Sequence, residues 1–326
     1  MAFPFDGYEV AAHLRPSQAA YGFDLDRALS AVVALEARTP QDAFTAASLG
    51  AERVGNGVVI GPNGLIVTIG YLIMEADAVV LTLEGGRRVA AHALGSDPVT
   101  GFGLVQALEP LGLPTLRLGD SSGLRAGSPV IVAGAGGRAH AAAGEVVTRM
   151  RFAGYWEYLL DDAIITQPGH PHWSGAALIS PAGDLVGVGS LSLEGQTRSG
   201  AVKPINMFVP VDLLPPILDD LARGRPAHPA RPWLGVLAQD LDPHAVVVAG
   251  VNPHGPAARA ELRRGDVILA VDGEPVSDLA DFYRKLWVRG PAGATIPLRL
   301  QRDGDVFDVE VRSVDRTSML KKPRMN

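Results

Sequence analysis

Residues 170 to 178 read His-Pro-His-Trp-Ser-Gly-Ala-Ala-Leu, so one serine hydroxyl, Ser174, follows two imidazoles within five positions. A serine attacks a carbonyl only when a neighbouring base takes its proton and returns it to the leaving group. His172 and His170 are the nearest imidazoles, and each ring would have to fold back onto the hydroxyl within one short segment. Side-chain directions in so tight a stretch oppose that. Two loop histidines on the surface are therefore expected, with a rebuilt Ser–His pair as the alternative. A His-x-His metal site has no third ligand nearby, so neither metal nor cofactor is expected.

The elements that must position Ser174 can be read along the chain. Its 326 residues suffice for two domains, each with its own core. From Gly55 to about Val211, short apolar strands alternate with turn signals at Asn63-Gly64, Gly85-Gly86 and Gly183-Asp184, a pattern that favours closed antiparallel barrels over a doubly wound sheet. The Pro- and Arg-rich stretch from 224 to 232 reads as a linker. Beyond it, strands surround two helices, one in Gly-Pro-Ala-Ala-Arg-Ala-Glu-Leu and one with Ser277 as N-cap and Gly290 as stop, and a hairpin closes at Asp303-Gly304. This divides the chain into an arm over 1–27, a double barrel over 28–223, a linker over 224–232, an α+β module over 233–316 and a tail over 317–326.

The net charge of −6 gives no electrostatic reason to bind nucleic acid. With no cysteine there are no disulfides or thiolate metal sites. The opening residues mix Asp, Glu, His and Arg, unlike a secretory signal, and no apolar run is long enough to span a bilayer. A cytoplasmic location is the expectation, or a periplasmic one if the sequence is a processed form.

Several stretches together resemble the HtrA-type (DegP-like) serine proteases, over roughly residues 28 to 316. Gly-Asn-Gly-Val-Val-Ile at 55–60 is similar to the family's GSGVI strand. Gly-Leu-Ile-Val-Thr-Ile-Gly-Tyr-Leu-Ile at 64–73 corresponds to the histidine segment, and Ser-Asp-Pro-Val-Thr-Gly at 96–101 to the aspartate segment. Leu-Gly-Asp-Ser-Ser-Gly-Leu-Arg-Ala-Gly at 118–127 follows the family pattern closely, and the 172–188 stretch is similar to the serine region. The resemblance implies a mainly β protein: a chymotrypsin-like double β-barrel followed by an α+β PDZ domain.

Position by position, the family's histidine is Tyr71 and its aspartate is Gly101, while Ser174 keeps the nucleophile place. A phenol with an ordinary pKa near about 10 is a poor base at neutral pH, and Gly101 has nothing with which to orient one. The oxyanion loop also departs from the family, with His172 and Ala176 in place of glycines. Ser174 is then expected to fill a turn, with Trp173 over the old cleft and Tyr71 placing its ring in a barrel core. The implied function is that of a pseudoprotease, a serine protease homologue that acts through peptide binding or scaffolding. The alternative is an active serine endopeptidase that uses Ser174 with a non-standard base.

In the C-terminal module, Trp233, Leu234, Gly235 and Val236 match the carboxylate-binding loop of a PDZ domain. There, backbone N–H groups would hold a peptide's terminal carboxylate while the peptide adds a strand to the sheet edge. Leu279 and Phe282, on the helix lining the groove, are candidate pocket residues or core. Partners implied are polypeptide C-termini or unfolded segments. Phe3, Phe5, Tyr8, Tyr21 and Phe23 on the leading arm suggest a homo-oligomer, by family resemblance a trimer, against an arm packed on its own barrel.

Overall fold

The structure is a computed structural model that describes residues 4–5, 7–196, 200–241 and 245–321. The chain divides into two compact units. One comprises residues 1–150, 162–227 and 321–326, and the other residues 151–161 and 228–320.

In the first unit, β1 (Val32–Arg38), β2 (Glu52–Gly61), β3 (Leu65–Ile69), β4 (Ala78–Thr82), β5 (Arg88–Ser96) and β6 (Phe102–Ala107) close an antiparallel barrel in the order β1-β2-β3-β6-β5-β4. Six further strands close the second barrel: β7 (Pro129–Ala133), β8 (Ala141–Gly154), β9 (Tyr158–Gln167), β10 (Ala177–Ile179), β11 (Leu185–Gln196) and β12 (Val202–Pro210), ordered β10-β11-β12-β9-β8-β7. Closure leaves neither barrel with a free edge. Val130, Val132, Val146, Ile164, Leu178, Val186 and Phe208 fill the second barrel. Each such side chain taken from water stabilises by about 1.5–3 kcal/mol.

Asn63-Gly64 turns β2 into β3 as expected, with Gly64 at φ +81°. After β12, Asp212 lies in a 3₁₀ turn where its carboxylate accepts the Ser121 backbone N–H, and a helix follows at Pro215–Ala222.

The second unit is a sheet of β13 (Val236–Leu241), β14 (Ala245–Val251), β15 (Val267–Val271), β17 (Thr295–Arg302) and β18 (Asp305–Arg312), with β16 (Glu274–Pro275) on β15. The helix Leu279–Trp287 buries Leu279, Phe282, Tyr283 and Leu286 in the core of this unit. Its N-cap is Asp278 rather than Ser277. The Asp278 carboxylate accepts the Asp281 N–H, whereas Ser277 donates to Asp281 from outside the helix. Residues 151–161, the tip of the β8–β9 hairpin, belong to this unit: Ala153 and Leu159 pack against its core.

Candidate functional site

Tyr71 is the second residue of the single helical turn Gly70–Ile73 at the end of β3. Its phenolic oxygen lies 2.7 Å from the Ser174 Oγ and donates to the Ser190 carbonyl at 3.0 Å. A carbonyl can only accept, so that bond uses the one phenolic proton, and the Ser174 hydroxyl donates to the Tyr71 oxygen. Burial pushes the Tyr71 phenol above its ordinary value, with the Ser174 contact opposing weakly. At neutral pH the serine proton therefore faces a neutral phenol, which accepts a hydrogen bond and cannot take the proton. The expected core placement of the ring gives way to this one, with Tyr71 half-buried and its hydroxyl on Ser174.

Gly101, at the aspartate position, sits at φ +88°, a backbone region that L side chains rarely adopt. Its contribution is main-chain: the Gly101 carbonyl accepts the Gly70 N–H at 2.7 Å, which holds the turn that carries Tyr71. Asp97, four residues earlier, is buried and spends a carboxylate oxygen on the Thr100 N–H. Among the described residues, no imidazole and no carboxylate hydrogen-bonds the Ser174 hydroxyl.

The two histidines of the serine loop do other work. His170 is buried, which corrects the expectation of a surface ring. Its Nε2 is 3.0 Å from the His140 carbonyl, and its Nδ1 accepts the His172 backbone N–H at 3.1 Å. Those two contacts define a neutral ring, protonated on Nε2. Burial, ahead of the neighbouring His172 and His140, lowers the His170 pKa to about 4. His172 is half-buried, its ring 4.3 Å from that of Phe5 and 5.2 Å from that of Tyr8. In this fold the oxyanion hole uses the N–H of the nucleophile and of the residue two before it. The second of these, on His172, is already bonded to His170.

Asn56, which sequence reasoning passed over, fixes the loop. Fully buried, it donates through Nδ2 to the carbonyls of His172 (2.8 Å) and Ser174 (2.9 Å), while its Oδ1 accepts the Ala135 N–H at 2.8 Å. Gly175, at φ +71°, lets the chain pass so close that a Cβ there would lie 2.0 Å from the Asn56 carbonyl oxygen. The signal for Asn56 was its place in Gly-Asn-Gly, where the similar family strand carries serine.

Two of the arm's aromatic rings pack within the chain. Phe5 is buried on His172, and Phe23 packs on Gly183, where an added Cβ would come within 2.7 Å of the ring. Phe3 lies outside the described residues, as does the tail beyond Lys321.

In the second unit, Trp233 is buried and bridges to Val314, leaving the next three N–H groups pointing together. Leu234, Gly235 and Val236 all donate to the carboxylate of Glu157, at 3.2, 2.7 and 3.1 Å. Gly235 reaches this geometry at φ +76°. Ala238 on β13 donates to the Tyr155 carbonyl at 3.0 Å. Leu279 and Phe282 face the core of the unit, and the helix instead presents Tyr283, which donates to the Gly154 carbonyl (2.8 Å) and accepts the Glu157 N–H (3.1 Å). Among the described residues, no group of three His, Cys, Asp or Glu is set to hold a metal, and no helix is long and apolar enough to cross a membrane.

Residues 55–188 match the trypsin-like peptidase domain and residues 232–312 the PDZ domain. The chain is 30% identical over 277 residues to a probable periplasmic serine endoprotease DegP-like of Pseudomonas fluorescens, a match that covers 80% of this chain and 56% of that one. A protein of the same description from Halomonas elongata is 29% identical over 274 residues, with 79% and 56% covered. The chain thus spans about half the length of the curated relatives it matches. A solved HtrA-type protease, AlgW with tripeptide, superposes with a TM-score of 0.53 at 26% identity, covering 95% of this chain and 99% of that one. The relatives' periplasmic description overturns the cytoplasmic expectation, which rested on the opening residues and on the lack of a bilayer-length apolar run. With a trypsin-like double barrel ahead of a PDZ domain, the chain is an HtrA-like serine protease homologue.

Proposed function

We propose that this protein is a proteolytically inactive HtrA homologue of the periplasm that acts by binding polypeptide. The observation that carries the proposal is the 2.7 Å contact between the Ser174 Oγ and the Tyr71 hydroxyl, where a working site needs an imidazole. Removal of the base from a serine protease of the subtilisin type lowers kcat by about 10⁶. The Gly101 backbone and the His172 N–H bonded to His170 remove two further requirements, an orienting carboxylate and a free oxyanion donor.

Binding is assigned to the PDZ module. Its loop at Leu234, Gly235 and Val236 gathers three N–H donors on one carboxylate, the arrangement that holds a peptide C-terminus. The solved relative's description, HtrA-type protease AlgW with tripeptide, names a peptide complex of that protein and favours the same ligand class here. Assembly into a homo-oligomer, by family likeness a trimer, and a role in protein quality control are part of the proposal.

The test is incubation of the purified protein with casein beside a Ser174→Ala control, and titration of the full chain with peptides carrying free, apolar C-termini. Casein should stay intact, and peptides should bind saturably and lose affinity when amidated. Cleavage abolished by Ser174→Ala would instead favour an endopeptidase with a non-standard base.

A further inference from the structure

The carboxylate-binding loop of the second unit already holds a carboxylate, and it is the chain's own. Glu157 lies in the turn Gly154-Tyr155-Trp156-Glu157 at the tip of the β8–β9 hairpin, far upstream of the loop that grips it. The residue is 8% exposed, and its carboxylate receives the N–H groups of Leu234, Gly235 and Val236. The Tyr155 carbonyl accepts the Ala238 N–H, so the turn also makes a ladder contact to β13, the strand on which an added peptide would pair. From the helix side, Tyr283 closes the turn through the Gly154 carbonyl and the Glu157 N–H. Salt bridges fix both flanks: Arg284 to Asp161, and Arg151 to Asp278 at 3.8 Å. Ala153 and Leu159 seat the hairpin against the core of the unit.

Every donor that would recognise a peptide's terminal carboxylate is thus engaged, and a strand contact beside it is taken as well. We infer that residues 154–157 are an internal ligand of the PDZ groove, with Glu157 standing in for a C-terminal carboxylate, so that peptides bind only by displacing this turn. The inference rests on the PDZ module being a peptide-binding site, as proposed above. It adds the competitor and the partner class, a polypeptide whose free C-terminal carboxylate and strand-pairing backbone can replace those of the turn. A buried carboxylate with three N–H partners is costly to leave unpaired, so the turn holds the loop until a ligand carrying its own carboxylate replaces it.

The test compares full-length wild type with Glu157→Ala in two measurements. Hydrogen exchange of the segment 232–239 reads occupancy of the loop. Binding of a mixed pool of fluorescent decapeptides ending in Val, Leu, Ile or Phe reads availability of the groove. The expected result is slow exchange in wild type and faster exchange in the variant, with peptide affinity raised at least about tenfold. Equal exchange and equal affinity would overturn the internal ligand while leaving peptide binding standing. Slow wild-type exchange that is lost in Glu157→Ala, with no peptide bound by either protein, would support the internal ligand and defeat the peptide-binding proposal. Should Glu157→Ala not fold, Glu157→Asp keeps the carboxylate while drawing it back from the loop by one methylene. It should show the same changes at about threefold, and unchanged exchange and affinity in it would overturn the inference.

Discussion

The imidazole of His170 accepts the backbone N–H of His172 through Nδ1 at 3.1 Å, and so converts a potential oxyanion donor into a structural bond. The same ring reaches the His140 carbonyl with Nε2, which requires it to be neutral. A folded pKa of about 4, below the ordinary 6.5, means that the native state holds fewer protons than the unfolded state between those values. The stabilisation is therefore fully present above about pH 6.5 and is lost as pH falls toward 4. Acidification across that window should cost on the order of 3 kcal/mol through this ring. Urea unfolding at about pH 7.5 and about pH 4.5 should show a smaller pH effect in His170→Gln than in wild type. Equal pH effects in the two proteins would remove His170 as the source.

Tyr71 is expected to matter for packing and not for chemistry. Tyr71→Phe leaves the Ser174 hydroxyl and the Ser190 carbonyl without their shared partner. The loss should be about 1 kcal/mol, a fall of about 2–4 °C in Tm. Calorimetry checks the stability, and reactivity at Ser174 should be the same in both proteins.

Gly175 admits no side chain without rearrangement. Gly175→Ala would place a methyl 2.0 Å from the Asn56 carbonyl oxygen on a residue at φ +71°. A destabilisation above about 3 kcal/mol is expected, read as a urea midpoint shift or loss of soluble protein. The neighbouring Ala176 is buried without such a clash, so Ala176→Gly should cost less.

Binding of the internal turn should depend on pH. Burial raises the Glu157 pKa to about 7, against the N–H donors of Leu234, Val236 and Gly235 and the charge of Arg316. Tyr283 faces it as a neutral phenol whose own pKa is raised by burial, then by Glu157 and Asp240. A carboxyl whose pKa is raised on docking keeps a proton that the free turn releases, so docking is strongest below about pH 4.5 and weakens as pH rises to 7. Peptide affinity of wild type should accordingly rise between about pH 5 and about pH 7.5, and the advantage of Glu157→Ala should shrink severalfold. Titrations at both pH values read the ratio, and a constant ratio would contradict the assignment.

The barrels were legible because closed sheets repeat a local rule, short apolar runs ended by turns such as Asn63-Gly64 and Gly85-Gly86. The opposition of Tyr71 and Ser174 followed from motif order, though the 2.7 Å contact did not. Asn56 was missed because its three partners lie 79 to 118 residues away, and nothing local distinguishes a clamp from a polar strand residue. Glu157 was missed for a related reason: an acidic residue in a hairpin turn looks like ordinary solvated charge until the turn meets a loop far along the chain. By sequence His170 reads as a surface ring in a short loop, while its neighbours in space are carbonyls and other rings.

The idle state of Ser174 is the central claim, and a fluorophosphonate probe addresses it directly because it reports hydroxyl nucleophilicity without needing a substrate. Wild type and Ser174→Ala, incubated with the probe near neutral pH and read by intact mass, should both remain unmodified. One adduct on wild type, absent from Ser174→Ala, would mean that some group activates this hydroxyl, and the assignment of the protein as inactive would fall.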